Sequence, residues 1–209
     1  MQGLGLLFDG EHKRELTPND LLRARIPARL QVATLEAISA QTLYRKPIEL
    51  YLAALEENLK KGVGICFVGQ KGRGKSGSAA LITKEVLARG GSALFLEEDV
   101  LISAVLSKGI FDGEITIQQR AEDVDLLVID DVGLSAHTEK IQITEILVKH
   151  RIHRARSVIL TTNLTDEVFS VRYPTMGDAI KEACVSVVCS GIQWREPLRK
   201  DLQRMFPDA

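Results

Sequence analysis

The spacing of apolar residues along the chain changes after Gly62. Between Ala28 and Lys61, apolar side chains recur every three or four positions, which predicts two helices, the second beginning near Pro47. After Gly62, short apolar runs alternate with longer segments of helical periodicity. A strand followed repeatedly by a helix predicts a parallel sheet that is covered by helices on both faces.

Five apolar runs have the length and the Val, Ile and Leu content of buried parallel strands. They are GICFVG, SALFLE, VDLLVID, SVILTTN and CVSVVCS. The segments SGSAALITKEVLARGG and TEKIQITEILVKHRIHRAR are predicted helices between them, and WREPLRKDLQRMF is a predicted terminal amphipathic helix. The predicted fold class is therefore α/β, with a five-stranded parallel sheet flanked by helices and no obvious full lid domain.

The first 27 residues have a different character. They mix charges with Gly, a Thr-Pro-Asn-Asp stretch and an Ile-Pro dipeptide, and they show little sustained period. This pattern predicts a loosely attached N-terminal arm over residues 1–27. Residues 28–209 are then expected to form one core that includes the N-terminal helices and the C-terminal helix.

Composition excludes several classes of protein. The chain carries 27 Lys+Arg and 28 Asp+Glu, a net charge of -1, so any binding to nucleic acid must use a local cluster. A run of about 18 apolar residues, as a membrane span needs, is absent from the sequence, and no secretory signal is recognisable. The isolated Cys66, Cys184 and Cys189 form no CxxC pair, which argues against a zinc site or a disulfide framework. We therefore expect a cytoplasmic protein that has no membrane partner.

Residues 69–76 read GQKGRGKS and match the phosphate-binding pattern GxxxxGK[ST], with a predicted strand before and a predicted helix after. Backbone N–H groups of such a loop wrap a phosphate chain, and the helix N-terminus favours the anion. The loop predicts a P-loop NTPase that uses ATP and Mg²⁺, in which Lys75 reaches the β- and γ-phosphates and the Ser76 hydroxyl ligates Mg²⁺. The predicted nucleotide-binding residues are Gly69, Gln70, Lys71, Gly72, Arg73, Gly74, Lys75, Ser76 and Gly77.

The strand VDLLVID ends in two adjacent acids, Asp130 and Asp131. Buried acids are costly unless a cation compensates them, although two acids can also simply end a strand. Because the carboxyl ends of parallel strands line one crevice, the pair should open onto the same edge as the phosphate-binding loop. We expect Asp130 to hold Mg²⁺ through water and Asp131 to orient the water that attacks ATP. Lys75 and Asp131 are thus predicted catalytic residues of an ATPase.

These motifs, together with SVILTTN, the upstream segment IPARL and the late turn GIQWR, resemble those of the AAA+ family. Within it they are most similar to the DnaC/IstB-like group of helicase loaders and transposition helper ATPases. The resemblance extends from about Ile26 to Arg195. It implies that Asn163 is the first sensor residue and a third catalytic residue, whose amide can hydrogen-bond the γ-phosphate and the lytic water. It also implies that ATP binds between subunits, so that self-association is expected.

The family usually supplies an arginine to the neighbouring subunit's nucleotide from an S-R-L or D-R-L stretch. The corresponding residues 177–180 read GDAI here, and Ala179 cannot serve this purpose. Arg172 and Arg195 are the remaining candidates for an arginine finger or sensor. We therefore expect slow hydrolysis, or turnover that a partner stimulates by supplying the arginine.

A cluster of basic residues lies at the end of the predicted helix TEKIQITEILVKHRIHRAR. One interpretation is that these cations complement the helix dipole on a solvated face. Others are a subunit interface or an electrostatic contact with the backbone of single-stranded DNA, since aromatic residues make up only 5% of the chain and provide no stacking platform. The candidate DNA contacts are Lys149, Arg151, Arg154 and Arg156.

The resemblance implies an ATP-dependent accessory protein of DNA replication. Its expected partner is a hexameric replicative helicase, which it would load or remodel on single-stranded DNA. Two alternatives stay open. One is an IstB-like transposition helper that acts on duplex DNA with a transposase. The other is an ATP-binding regulatory scaffold with little hydrolysis, which the missing arginine permits.

Overall fold

The computed structural model describes residues 13–39, 42–107, 111–112, 115–133 and 138–191. Before the sheet, these residues form α1 (Pro18–Arg23), a 3-10 turn (Ala28–Leu30), α2 (Arg45–Ala53) and α3 (Leu55–Lys61). The sheet and its helices follow as β1 (Gly64–Val68), α4 (Lys75–Ala88), β2 (Ala93–Glu97), α5 (Glu98–Leu106), β3 (Phe111–Asp112), β4 (Ile115–Thr116), α6 (Ile117–Asp123), β5 (Leu126–Val132), α7 (Thr138–His153), β6 (Ser157–Thr162), α8 (Asp166–Arg172), α9 (Pro174–Ala183) and β7 (Cys184–Val188).

The central sheet has five parallel strands in the order β2-β5-β6-β1-β7. All five predicted strands are present, and the predicted fold class is confirmed. The predicted helices between them are also present, as α4 and α7. The predicted terminal helix WREPLRKDLQRMF and residues 1–12 lie outside the described residues.

Strand order determines which residues meet at the carboxyl edge of the sheet. β1 lies between β6 and β7, and Val68 at its end is in register with Thr162 of β6 and Val188 of β7. β5 lies on the other side of β6, and its Asp130 is in register with Glu97 of β2. The loops that follow β1, β5 and β6 therefore leave the sheet side by side, as expected of a ligand crevice in a parallel sheet.

Two apolar clusters cover the two faces of the sheet. Alternate residues of each strand point to opposite faces, so that Ile65 and Phe67 of β1 belong to one cluster and Cys66 belongs to the other. The first cluster packs against α2, α3 and α4, and the second against α5, α6, α7 and α9. Burial on both faces explains why β5 and β6 read as nearly continuous apolar runs.

The prediction of a first helix after Ala28 is wrong. Residues 28–38 form the short 3-10 turn and further turns, with bonds such as Leu30 N–H to Pro27 O at 2.8 Å. The Lys84 ammonium of α4 donates hydrogen bonds to the carbonyls of Gln31 and Ala33, both at 2.7 Å. A continuing α-helix would need these carbonyls as acceptors for its own N–H groups. The contact with Lys84 therefore prevents the helix that the local spacing of apolar residues predicts.

The second predicted helix is present but is broken in two at Ala54, whose φ and ψ are -106° and 24°. The Asn58 side-chain amide donates to the Tyr51 carbonyl at 3.1 Å, and the Tyr51 hydroxyl donates to the Val63 carbonyl at 2.8 Å. These side-chain bonds tie the break and the helix end to the start of the sheet.

The N-terminal arm is not loosely attached over its described part, residues 13–27. Ala24 and Ile26 are almost fully buried, with 1% and 3% of their surface exposed. The Ala24 carbonyl accepts a hydrogen bond from the N–H of Phe95 in the edge strand β2, at 2.8 Å. The arm therefore covers part of the edge of the sheet, while the domain boundary near residue 27 stays a prediction. In the parts of the chain described above, no helix combines the length and the apolar character needed to cross a bilayer.

Candidate nucleotide-binding site

The loop between β1 and α4 has the backbone of a phosphate cradle. Gly69, Gly72 and Gly74 adopt φ values of 148°, 80° and 89°, which residues with a side chain rarely adopt. At Gly69 a Cβ atom would also lie 2.3 Å from the carbonyl oxygen of Cys189. The two glycines of the pattern, Gly69 and Gly74, and the intervening Gly72 are thus needed for the conformation of the loop. The 14-residue helix α4 begins directly after Gly74, so its N-terminus lies at the loop.

Lys75 is the first residue of α4, and only 4% of it is exposed. Its ammonium donates to the carbonyls of Gly69 at 2.7 Å and Gln70 at 3.0 Å, and to Oδ1 of Asn163 at 2.6 Å. Asn163 directly follows β6, the strand next to β1. The structure therefore brings together two of the three predicted catalytic residues, which are 88 positions apart in the sequence.

The two predicted Mg²⁺ ligands also lie together. Asp130 is 2% exposed, and its Oδ1 accepts a hydrogen bond from the Thr161 hydroxyl at 2.5 Å. Burial raises the pKa of Asp130, and the hydrogen bond from Thr161 and the nearby Ser76 hydroxyl oppose the rise. Ser76 of the phosphate loop and Asp130 of β5 thus face each other across the carboxyl edge of the sheet.

Asp131 occupies a bulge. Its φ is 56°, and the pairing of β5 with β6 shifts register between Ile129 and Val132. In a regular strand, Asp131 would face away from Asp130, whereas a bulge re-aims the side chain at that position. The Asp131 N–H donates to the Thr161 hydroxyl oxygen at 2.9 Å, which fixes the backbone of the bulge. The assignment of Asp131 to the attacking water stays a prediction.

Thr161 was missed in the sequence analysis, although it contacts both acids. It donates to the Asp130 carboxylate and accepts from the Asp131 N–H. Its signal in the sequence is a hydroxyl residue in the otherwise apolar run SVILTT, one strand away from the acids. A buried polar residue in such a strand indicates a polar partner on the neighbouring strand.

These residues fit a nucleotide with Mg²⁺. The loop offers backbone N–H groups, a helix N-terminus and a cation, while Ser76 and Asp130 offer the oxygen ligands that Mg²⁺ prefers. Beside the loop, a Cβ added at Gly77 would meet no atom within 4 Å, so this face of α4 is open. Within the described part of the chain no three His, Cys, Asp or Glu side chains form a metal cluster. A magnesium ion here would therefore complete its shell with phosphate oxygens and water.

The candidate arginines are less well placed. Arg172 ends α8 and is partly buried, and its Nε is buried without a hydrogen-bond partner among the described residues. Arg195 lies outside the described residues. Ala179 lies in the middle of α9, before the last strand β7. The structure thus leaves the source of an arginine finger as a prediction.

The prediction that Arg151 contacts DNA is wrong. Its side chain is fully buried at the end of α7, with 0% of its surface exposed. Its guanidinium donates to five backbone carbonyls around the start of β5 and β6, those of Ala121, Glu122, Val124, Asp125 and Ser157, at distances of 2.7 to 3.3 Å. Arg151 is therefore a structural clamp and is not available to a DNA backbone.

The other three basic residues differ in exposure. Arg156 pairs with the buried Asp125 at 3.2 Å, and 15% of its side chain is exposed. Arg154 is 47% exposed and lies 3.9 Å from Asp123. Lys149 lines an open groove of about 400 Å³ between α7 and α9, together with His150, His153, Gln142, Glu145, Ile146 and Thr175. Lys149 and Arg154 thus remain the more accessible candidates for a DNA contact.

Known proteins share both the sequence and the fold. The family model described as IstB-like ATP binding protein matches residues 4–185. The replicative helicase loader DnaC of Escherichia coli (strain K12) is 32% identical over 108 residues, which cover 49% of this chain and 43% of that protein. The matched segment therefore spans less than half the length of this relative.

Three solved structures have a similar fold. They are the DnaC helicase loader (19% identity, TM-score 0.67, covering 78% of this chain and 100% of that one), DnaI (17%, 0.65, 83% and 99%) and AMPPCP-bound DnaA from Aquifex aeolicus (20%, 0.64, 87% and 57%). At these identities the likeness shows the fold alone. The family model, in contrast, covers the phosphate loop, both acids and Asn163, and it ends within β7. The chain therefore belongs to the family of IstB-like ATP binding proteins.

Proposed function

We propose that this protein is an ATP-dependent accessory factor of DNA replication that loads or remodels a replicative helicase on single-stranded DNA. The observation that carries the proposal is the contact between the Lys75 ammonium and Asn163, next to the facing Ser76 and Asp130. The match to the IstB-like family model and the similarity to the helicase loader DnaC also support the proposal. The proposal places the protein in the cytoplasm.

In this proposal, each site residue has one task in ATP hydrolysis. The loop N–H groups and the start of α4 bind the phosphates, and Lys75 leaves its carbonyl partners to neutralise the β- and γ-phosphates. Asn163 holds the γ-phosphate, and Asp131 accepts a proton from the water whose oxygen bonds to the γ-phosphorus. The bond from that phosphorus to the bridging oxygen breaks, which releases ADP. Bound Mg²⁺, held by Ser76 and through water by Asp130, would supply charge neutralisation between the phosphates.

Turnover is expected to depend on assembly. Ala179 leaves the usual position of the arginine finger without a cation, so an isolated subunit lacks one stabiliser of the transferred charge. Self-association or a partner protein would supply it, with Arg172 and Arg195 as the candidates from this chain. ATP then acts as a switch that stabilises one assembled state until hydrolysis releases it.

A second function is favoured by one specific observation, the IstB-like family model over residues 4–185. A transposition helper of that kind would act on duplex DNA with a transposase. It would use the same ATP site, so the nucleotide chemistry alone does not distinguish it from a helicase loader.

The partner distinguishes the two functions. The purified protein is mixed with the hexameric replicative helicase of its host, with and without ATP, and the complexes are weighed by native mass spectrometry. A complex of defined stoichiometry that depends on ATP is expected. No complex with the helicase, combined with tighter binding to duplex than to single-stranded DNA over a salt series, would favour the transposition helper. Absence of turnover with either DNA would favour a regulatory scaffold.

Asp131→Asn is expected to keep MgATP binding and to reduce turnover by about 100-fold, because asparagine retains the shape but cannot accept the proton. The measurements are binding of a fluorescent ATP analogue and phosphate release. Asp178→Asn is the matched control, since the Asp178 side chain is 83% exposed on α9. Equal turnover of the Asp131 variant and the wild type would show that another group orients the water.

A further inference from the structure

Glu98 is a buried acid whose two carboxylate oxygens each accept one hydrogen bond. It is the first residue of α5, directly after β2, and it is 2% exposed. Oε2 accepts from the backbone N–H of Gly133 at 2.9 Å, and Oε1 accepts from the Tyr173 hydroxyl at 2.8 Å. A buried carboxylate is costly without such bonds. Glu98 thus joins three segments that are far apart in the sequence.

One of these segments is the turn that contains Asp131. Gly133 follows Asp131 by two residues and has a φ of 102°, and a Cβ there would lie 2.5 Å from Leu164. Asp131 itself has a φ of 56°, in the left-handed region that few residues other than glycine adopt, although aspartate adopts it more readily than most. Thr161 holds the N–H of Asp131, and Glu98 holds the N–H of Gly133. Hydrogen bonds therefore hold the bulge on both sides, and Glu98 accepts one of the two.

The other segment is the junction between α8 and α9. Tyr173 occupies this junction, is fully buried, and packs against Phe169, with ring centroids 5.0 Å apart and the ring planes tilted by 31°. Burial and the neighbouring Glu98 raise the pKa of Tyr173, so its hydroxyl remains a hydrogen-bond donor, and Arg172 lies close enough to oppose the rise. From the far side, Glu145 of α7 accepts from the N–H groups of Thr175 and Met176 at 3.1 Å. The junction is thus held by Glu145 on one side and by the hydrogen bond from the Tyr173 hydroxyl to Glu98 on the other.

We propose that Glu98 is a positioning residue that couples the Asp131 bulge to the α8–α9 junction, so that nucleotide at the phosphate loop changes the state of the segment that carries Arg172. The inference rests on the proposed ATPase function. The two oxygens of the Glu98 carboxylate belong to one rigid group, and each accepts a hydrogen bond from a different segment. A displacement of the bulge on ATP binding therefore either moves the Tyr173 hydroxyl with it or breaks one of the two bonds.

Turnover tests the first half of the proposal. Glu98→Ala removes both acceptors and is expected to lower kcat about 10-fold while KM for ATP stays within about 3-fold, because the bulge loses its alignment but the phosphate loop does not. Glu98→Gln is expected to rescue kcat, since its carbonyl oxygen can accept from Gly133 and its amide can donate to the Tyr173 oxygen. Asp99→Ala, at the exposed next position of α5, is the matched control. A kcat of wild-type size in a folded Glu98→Ala variant would overturn the proposal.

Hydrogen exchange tests the second half without requiring turnover. In the wild type, a non-hydrolysable ATP analogue is expected to change the exchange of residues 166–183. Tyr173→Phe removes only the hydroxyl and is expected to abolish this change while nucleotide affinity stays the same. This variant decides the question if Glu98→Ala does not fold. A change that persists in Tyr173→Phe, or no change in wild type that binds the analogue, would overturn the coupling. Wild type that binds no ATP would instead contradict the proposed function itself.

Discussion

Lys75→Ala is expected to weaken ATP binding by about 100-fold or more and to leave the fold intact. A charge-assisted hydrogen bond contributes about 1.5–3 kcal/mol, and the ammonium would make two, to the β- and γ-phosphates. The side chain is held at the loop by Gly69, Gln70 and Asn163 before any nucleotide arrives, so it is already in place for this role. Affinity is measured by titration with a fluorescent ATP analogue, and folding by circular dichroism.

Lys61→Ala is the matched control for this experiment. The Lys61 side chain is 65% exposed at the end of α3, and its ammonium pairs at the surface with Glu57, at 2.6 Å. An exposed pair of this kind contributes little to stability, so this variant should bind ATP like the wild type. If Lys75→Ala also retained wild-type affinity, the glycine-rich turn would be a structural loop and not a nucleotide site.

Arg151→Ala is expected to destabilise the protein by about 3–5 kcal/mol, since it leaves several buried carbonyls without this donor, at about 1–3 kcal/mol for each group that stays unsatisfied. Burial lowers the pKa of Arg151 to about 9, which is still above neutral pH, so the guanidinium remains charged in the fold. The five carbonyls it serves would lose their donors. Urea unfolding followed by circular dichroism gives the free energy of unfolding.

Two further variants are compared with Arg151→Ala in the same unfolding experiment. Arg151→Lys carries three donors on one nitrogen and cannot serve five acceptors, so an intermediate loss is expected. Arg154→Ala removes an exposed cation of the same helix end and should change the free energy of unfolding by no more than about 0.5 kcal/mol. Equal stability of all three variants would mean that water replaces the guanidinium without cost and that the clamp has no structural role.

The sequence predicted the sheet because burial on both faces leaves a strong local signal. The runs that became β1, β2, β5, β6 and β7 are short and largely apolar, and all of them except β2 are rich in β-branched residues. The phosphate loop was predictable for a similar reason, since glycine at positions such as Gly69 and Gly74 is required by the backbone itself. The short α8 carries too few residues for a clear period, and α5 begins directly after β2 without a turn residue, so these two helices were not predicted.

Contacts between distant segments could not be predicted in this way. Arg151 is one of several basic residues at a helix end, and nothing in that pattern distinguishes the buried one from the exposed Arg154. The same holds for Glu98, whose partners Gly133 and Tyr173 are 35 and 75 positions away. Single-chain periodicity reports which side of an element is buried, but a polar residue's partners depend on how the elements are assembled.

The N-terminal arm has a consequence for how copies of this protein can associate. An exposed edge strand offers unpaired N–H and C=O groups to which another chain can add. On β2 the N–H of Phe95 is already bonded to the carbonyl of Ala24 in the arm, and Ile26, also in the arm, is buried. Open-ended growth by strand addition at this edge would first have to displace the arm. Shortening the chain from its start would accordingly favour insoluble aggregates over closed assemblies.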